Sequence, residues 1–169
     1  KDLNRISITI DGELVDESRL VEIDETLLIR QVPDAFTLEV VTQINPEANT
    51  KLDGLYLSEG AFCTQCEPHG FRRITYFLDR PDVLAKYRVK VIADKKYPYL
   101  LSNGNRIEQG ELENGMHFTQ WEDPFPKPCY LFALVAGEFD VLKDSYTRKS
   151  GKKVDLEVYV NKGNLNRSD

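Results

Sequence analysis

The sequence predicts an all-β protein, an antiparallel β-sandwich or saddle-shaped pair of sheets with one short helical turn near residues 80–85. Apolar and polar residues alternate in segments spread along the chain, which is the pattern of half-buried strands. Dipeptides that favour tight hairpin turns lie between these segments. The chain has 169 residues, 41% hydrophobic and 30% charged, which is the composition of a globular domain.

The first predicted strand lies near the start of the chain, where Ile6, Ile8 and Ile10 alternate with Ser7 and Thr9. A strand with this pattern directs its apolar side chains to the core and its polar ones to solvent. The same alternation predicts further strands at 36–40, 89–91 and 154–160.

Type I′ hairpin turns are predicted wherever Asn or Asp precedes Gly, because these residues adopt positive φ at low cost. The three candidates are Asp11-Gly12, Asn103-Gly104 and Asn114-Gly115. Ser150-Gly151 separates two further candidate strands. Turns this short favour antiparallel pairing of neighbouring strands.

The single helical turn is predicted from Asp79 and Pro81. Asp79 can cap a helix N-terminus, and Pro81 falls near the first helical position, where its missing N–H costs nothing. One such turn does not change the predicted all-β class.

Two segments lack alternation. Residues 58–73 are rich in polar side chains and are predicted to form a loop. Residues 121–130 contain three prolines in five positions, which argues against both a helix and a central strand. The apolar segment 130–136 then reads as a strand buried on both faces, and residues 137–144 as a crossing into a second unit.

The charge balance restricts the partners. The chain has 22 Lys and Arg against 28 Asp and Glu, a net charge of −6, so we expect neither nucleic acid nor an anionic membrane as a partner. The longest apolar run, 129–136, is too short for a spanning helix. Three cysteines, an odd number, favour a reducing compartment over a disulfide framework.

The start of the chain also carries information. It begins at Lys1, and the only methionine is Met116, so we expect a processed chain or a piece of a longer one. The alternating residues 6–10 differ from the unbroken apolar segment of a signal peptide.

The Cys63-x-x-Cys66 motif has half the spacing of a zinc ribbon, with His69, His117 and Cys129 as further possible ligands. It could also be a redox motif, although that motif opens a helix after a strand. The interpretation we favour is two free thiols packed as small apolar groups. The chain contains neither a Gly-x-Ser-x-Gly motif nor a glycine-rich phosphate loop, and we predict no catalytic residue in it.

Glu67 follows Cys66 directly and precedes Pro68. A carboxylate in a loop stiffened by proline is suited to bind a cation in a fixed position. From composition alone, an ordinary solvated glutamate is the more frequent outcome for such a position.

Five segments resemble the N-terminal domain of the bacterial aminopeptidase N family. The members of this family are zinc metallo-aminopeptidases of the gluzincin class. They are Cys63-Thr-Gln-Cys-Glu67 and residues 45–56, 70–82, 101–105 and 123–137. The resemblance implies that residues 1–139 form the N-terminal β-domain without its first strands. It implies that residues 140–169 are the first strands of a thermolysin-like catalytic domain.

The resemblance also implies a function for the longer protein, here called the full-length parent. It would use zinc to remove single amino acids from the N-termini of peptides, in the cytoplasm. The family's His-Glu-x-x-His and Gly-Ala-Met-Glu-Asn motifs are absent from this chain. The resemblance therefore implies a fragment that is inactive alone, holds no metal and has its own catalytic domain as a partner.

Two site residues follow from the resemblance. Glu67 would bind the free α-ammonium group of the substrate, and Gln65 would line the pocket for the first residue. At neutral pH a glutamate side chain is anionic and an α-amine is mostly protonated, so a charge-assisted contact is expected.

Two other interpretations remain open from the sequence. The chain could be a stand-alone β-sandwich interaction module, in which Trp121, Phe125 and Tyr130 form an exposed aromatic patch. It could also be a thiol or zinc module at Cys63 and Cys66.

Overall fold

The structure, a computed structural model, describes residues 3–167, and these contain fourteen strands and five single-turn 3-10 helices. The strands are β1 (Asn4–Ile10), β2 (Glu13–Leu14), β3 (Leu20–Ile23), β4 (Thr26–Ile29), β5 (Leu38–Gln43), β6 (Gly54–Ser58), β7 (Ala61–Gln65), β8 (Ala85–Asp94), β9 (Tyr99–Ser102), β10 (Asn105–Glu111), β11 (Met116–Lys127), β12 (Leu134–Gly137), β13 (Phe139–Thr147) and β14 (Lys153–Asn161). The 3-10 helices are Glu17–Arg19, Pro46–Ala48, Phe71–Arg73, Cys129–Leu131 and Leu165–Arg167.

All strand pairs in the described residues are antiparallel. The strand orders of the two larger sheets that concern the site are β6-β7-β12-β9 and β10-β11-β8. A third sheet has the order β2-β1-β5, and β3-β4 and β13-β14 are two-stranded. The predicted all-β, antiparallel class is confirmed.

The β6-β7-β12-β9 sheet and the β10-β11-β8 sheet share one core. Leu100 and Ala136 from the first sheet pack with Val91 from the second, and Leu100 is only 1% exposed. The indole N–H of Trp121, on β11, donates to the carbonyl oxygen of Leu100 at 3.1 Å. This contact joins the two sheets around one core, and β7 and β12 belong to the first of these sheets.

A second core lies under the β2-β1-β5 sheet, where Ile8, Ile10 and Val15 are buried. Ile6, predicted to share their face, is 55% exposed. The reason is a register shift in the β1–β5 pairing between Arg5 and Ser7, because an extra residue there breaks the two-residue repeat.

Two of the three predicted type I′ turns are confirmed. Asp11 and Gly12 both have positive φ between β1 and β2, and so do Asn114 and Gly115 between β10 and β11. The prediction for Asn103-Gly104 is wrong, because β9 and β10 belong to different sheets. Asn103 instead bonds across the fold: its side chain accepts from the N–H of Ala133 and donates to the carbonyl of Leu131.

The helical turn predicted near 80–85 is a single hydrogen-bonded turn, in which the N–H of Val83 donates to the carbonyl of Arg80 at 3.2 Å. It does not extend into a helix, because β8 begins at Ala85. Asp79 does not cap it either. The Asp79 carboxylate is buried and bonds elsewhere, as described below.

Three local predictions need correction. Residues 58–73 are not all loop, since β7 occupies Ala61–Gln65 after a tight turn at Glu59-Gly60. Residues 121–130 are not all irregular, since β11 continues to Lys127. Its prolines are tolerated because pairing with β10 ends at Glu122 and pairing with β8 is interrupted between Asp123 and Lys127.

The third correction concerns the apolar segment 130–136. Only its last part is a strand, β12, which begins at Leu134 and is flanked by β7 and β9. The segment before it forms the 3-10 helix Cys129–Leu131. The helix follows Pro128, and its only cap is the Phe132 N–H bond to the Cys129 carbonyl.

The β13–β14 hairpin touches the sandwich through an aromatic cluster. The rings of Tyr99 and Tyr159 meet edge to face with centroids 5.3 Å apart, and Phe139 lies beside both. The side chain of Asn161 also donates to the Glu59 carboxylate at 2.6 Å. The helices of the described residues are single 3-10 turns, and none of them could span a lipid bilayer.

We expect Leu100→Ala to lower the free energy of unfolding by about 2–5 kcal/mol, because it removes a fully buried side chain from the contact between the two sheets. Urea unfolding of the chain, followed by the fluorescence of Trp121, measures this directly. Leu14→Ala is the control, since Leu14 is 74% exposed and its truncation should change stability by less than about 0.5 kcal/mol. Equal effects of the two variants would contradict the assigned core.

Candidate functional site

The predicted site residues lie where β7 ends. Gln65 is the last residue of β7. The loop that follows, residues 66–70, is called the Glu67 loop here, and it exposes Glu67, Pro68 and His69. The N–H of Gly70 donates to the carbonyl of Cys66 at 2.8 Å, which closes the loop at its base. The Glu67–Pro68 peptide bond is cis. Glu67 is therefore an exposed carboxylate on a short, closed loop.

Gln65 and Glu67 are joined by a hydrogen bond. The side-chain amide of Gln65 donates to the backbone carbonyl of Glu67 at 2.9 Å. This bond ties the loop tip to the end of a strand that is itself paired with β6 and β12. The structure thus brings together the two site residues expected from the sequence.

The base of the loop requires glycine at position 70. A Cβ atom there would overlap the carbonyl oxygen of Gln65 and lie 2.9 Å from the Cα of Cys66. The Asp53 carboxylate also borders Gly70, and it forms an ion pair with Arg73. Close backbone approach of this kind accepts no side chain.

Asp79 lies beneath the loop and is 6% exposed. One carboxylate oxygen accepts from the backbone N–H and the Nε of Arg72, at 3.1 and 3.0 Å. The other oxygen accepts from the thiol of Cys129 at 3.0 Å. Burial by itself would raise the pKa of the Asp79 carboxyl, but the hydrogen bonds from Cys129 and Arg72 hold that pKa below its ordinary value.

The three cysteines are free thiols, as the favoured interpretation expected. Cys66 and Cys129 are buried around Phe71, with Tyr87 and Phe132 packed against this cluster. Burial raises the pKa of both buried thiols to about 12, and the nearby Asp79 carboxylate adds to the shift.

The structure provides no additional metal ligands beside the Cys63-x-x-Cys66 motif within the described residues. Across residues 3–167 no three His, Cys, Asp or Glu side chains are arranged to hold a metal ion. The described residues therefore do not fit a zinc site, and no zinc chemistry is assigned to them.

A small cavity opens beside the loop, with a volume of about 160 Å³. Its lining residues come from three separate segments of the chain: Glu67, Pro68, His69, Asp79, Pro81 and Tyr130. Sequence reasoning found Glu67 but not Asp79 or Tyr130. A buried aspartate before a proline looks like a helix cap in the sequence, and only the tertiary contact with Cys129 distinguishes the two.

The three aromatic residues of the interaction-module hypothesis do not form one exposed patch. Trp121 is partly buried, and its indole N–H is bonded to Leu100. Tyr130 is partly buried at the cavity, whereas Phe125 is 74% exposed. An exposed surface common to all three is absent.

Comparison with known proteins places this geometry in a family. Residues 4–131 match the model of the Peptidase M1 N-terminal domain. Aminopeptidase N of Escherichia coli (strain K12) is 59% identical over 169 residues, which is 99% of this chain and 19% of that protein. Aminopeptidase N of Haemophilus influenzae is 63% identical over 136 residues, 80% of this chain and 16% of that protein. The chain thus spans about a fifth of the length of these relatives.

Solved structures show the same fold. The aminopeptidase A of Legionella pneumophila, in complex with aspartic acid, matches with a TM-score of 0.93 and 38% identity over 100% of this chain and 20% of that one. An M1 zinc metallopeptidase variant from Deinococcus radiodurans, bound to a Tyr-Ser-Ala substrate, has a TM-score of 0.74 and 20% identity. That match covers 96% of this chain and 38% of the other, and it supports the fold alone.

We expect the thiols to differ in reactivity. The thiolate is the reactive form, so Cys66 and Cys129, each buried and with its pKa raised to about 12, should resist an aromatic disulfide reagent at pH 8 until the chain unfolds. Cys63 is partly exposed on β7 and should react in the native chain. Counting modified thiols with and without denaturant measures this, and Cys63→Ser should abolish the native reaction. Fast labelling of two or more thiols in the native chain would contradict the described burial.

Proposed function

From the premise that this chain belongs to the M1 peptidase family and corresponds to its N-terminal domain, we propose that it anchors the free α-ammonium group of peptide substrates in a zinc aminopeptidase. The full-length parent would remove single amino acids from the N-termini of peptides. The observation that carries the proposal is the exposed Glu67 carboxylate, held on a closed loop at the rim of a cavity.

The chemistry of the anchor is a charge-assisted hydrogen bond. A carboxylate and an ammonium group attract each other and bond at short distance, and this interaction is about twice as strong as one between neutral groups. An internal residue of a peptide has no α-ammonium group to offer. A carboxylate placed one residue from the cleavage point would therefore select chain ends, and the binding energy would orient the scissile bond.

Gln65 contributes to the same anchor in this proposal. Its amide N–H already donates to the carbonyl of Glu67, which leaves its side-chain oxygen as an acceptor for a second N–H of the substrate ammonium. Gln65 would thus line the pocket for the first residue and hold the loop in place.

Hydrolysis would be carried out by parts of the parent outside this chain. Within the described residues no set of side chains could hold a metal ion, so the zinc ligands belong to the catalytic domain in this proposal. The domain's partners would be the peptide substrate and its own catalytic domain, in the cytoplasm.

The domain boundary is part of the proposal. Residues 1–139 would form the N-terminal domain, and residues 140–169 the first strands of the catalytic domain; residues 1–2 and 168–169 lie outside the described residues. The β13–β14 hairpin supports this division, because Leu156 and Val158 on β14 are 44% and 48% exposed. Apolar side chains exposed on a two-stranded sheet need further structure to cover them.

We expect Glu67→Gln in the full-length parent to raise KM for an aminoacyl p-nitroanilide by roughly 10- to 100-fold and to lower kcat/KM. The amide keeps the shape of the side chain and removes its charge, and a hydrogen bond to a charged group is worth about 1.5–3 kcal/mol. Steady-state kinetics at pH 7 provide both constants.

The matched control is Glu113→Gln. Glu113 is an exposed glutamate in the β10–β11 turn, on a different sheet from Gln65, so its replacement should leave KM unchanged. Unchanged kinetics for Glu67→Gln, or equal effects of the two variants, would remove Glu67 from the anchor.

A further inference from the structure

We propose that Asp79 is the positioning residue of the anchor, and that its two carboxylate oxygens hold the Glu67 loop on one side of the cavity and Tyr130 on the other. The inference rests on the proposed function of Glu67 and extends it to a buried residue. Asp79 would act through the position of Glu67, without contacting the substrate ammonium itself.

The first side of the cavity is tied to one oxygen of Asp79. Arg72 lies in the 3-10 helix Phe71–Arg73, which follows directly after the Glu67 loop. Its backbone N–H and its Nε both donate to this oxygen, at 3.1 and 3.0 Å. A third bond, from the Nη2 of Arg72 to the backbone carbonyl of Asp79 at 2.9 Å, fixes the guanidinium group. Three hydrogen bonds to Asp79 therefore hold the segment that directly follows the loop.

The second side is tied to the other oxygen. The thiol of Cys129 donates to it at 3.0 Å, and Cys129 is 1% exposed. Cys129 is the first residue of the 3-10 helix Cys129–Leu131, and the next residue, Tyr130, lines the same cavity as Glu67 and Pro68. One carboxylate thus sets the separation of two cavity walls that are far apart in sequence.

Because the Asp79 carboxylate is buried, it depends on its hydrogen-bond donors. The Asp79 side chain is 3% exposed, and a buried anion is tolerated only when hydrogen bonds replace its lost hydration. Burial and the neighbouring carboxylate raise the pKa of Cys129 to about 12, so the thiol keeps its proton at neutral pH and remains a donor. The Asp79 carboxylate therefore keeps all its donors only while Arg72 and Cys129 both stay in their present positions.

The decisive experiment compares Asp79→Asn with a buried control in the full-length parent. Asp79→Asn should raise KM for an aminoacyl p-nitroanilide by roughly tenfold, because a displaced Glu67 carboxylate makes a weaker charge-assisted hydrogen bond to the substrate ammonium. The same variant should change kcat much less. Thr119→Val is the control, since Thr119 is also 6% exposed and bonds to Leu100 in the sandwich core.

Comparable rises in KM for Asp79→Asn and Thr119→Val, at comparable losses of thermal stability, would overturn the inference. They would show that Asp79 only stabilises the fold. A rise in KM confined to Asp79→Asn supports a role in positioning.

The Cys129 thiol provides a second test, which also applies if the Asp79→Asn variant does not fold. Cys129→Ser keeps a donor of similar size, whereas Cys129→Ala removes the donor to Asp79. We expect KM close to that of the unmodified parent for Cys129→Ser and a rise of several-fold for Cys129→Ala. Equal KM values for the two variants would overturn the inference.

A double variant separates this inference from the proposed function. If Asp79 acts through Glu67, adding Asp79→Asn to Glu67→Gln should raise KM little further. Full additivity would overturn the inference while leaving the anchor in place. An unchanged KM for Glu67→Gln alone would instead reject the proposed function, and with it this inference.

Discussion

The buried carboxylate of Asp79 joins two other parts of the chain: Arg72, just after the Glu67 loop, and Cys129, at the start of a short helix fifty residues further on. A carboxylate away from water has to be matched by donors, and here Arg72 supplies two of them and Cys129 the third, each residue lying close in sequence to a segment that borders the cavity. The local conformation of the candidate site therefore depends on this one interaction. Removing the Cys129 thiol would leave one buried carboxylate oxygen without its donor, which is more costly than the loss of the bond itself.

The sandwich provides the frame that holds these segments in place. β7 ends at Gln65 and pairs with β6 and β12, so the start of the Glu67 loop is fixed by a sheet that is buried against its neighbour. The other wall approaches from β11 through the proline-rich segment to Cys129. An exposed acidic loop is usually mobile, but this one is held at both ends by structure whose side chains are buried.

Much of the fold could be predicted from the sequence because its information is local. Alternation places β1, β8 and β14, and Asp11-Gly12 and Asn114-Gly115 make the tight turns that their positive φ values require. Asn103-Gly104 has the same local signal but bonds to residues 131 and 133, so a tertiary contact overrode the turn preference. The sequence does not indicate the short strand β7, because Glu59-Gly60, which forms its tight turn, is not among the usual turn dipeptides.

The residues of the candidate site also differ in how far the sequence alone could assign them. Gln65 and Glu67 could be assigned because they lie in a contiguous motif that resembles a known family. Asp79 could not be assigned, because its meaning depends on Arg72 and on Cys129, fifty residues away along the chain. Nothing in the residues around Asp79 distinguishes a helix cap from a buried anion, and only folding brings its donors together.

The most direct test of the account is a crystal structure of the full-length parent with a bound dipeptide. The quantity to measure is the distance between the Glu67 carboxylate and the α-amino nitrogen of the peptide. We expect a charge-assisted hydrogen bond of about 2.7–3.2 Å between these two groups. An α-amino nitrogen more than about 4 Å from that carboxylate, and bound by other groups, would contradict the central claim that this domain anchors the substrate's free end.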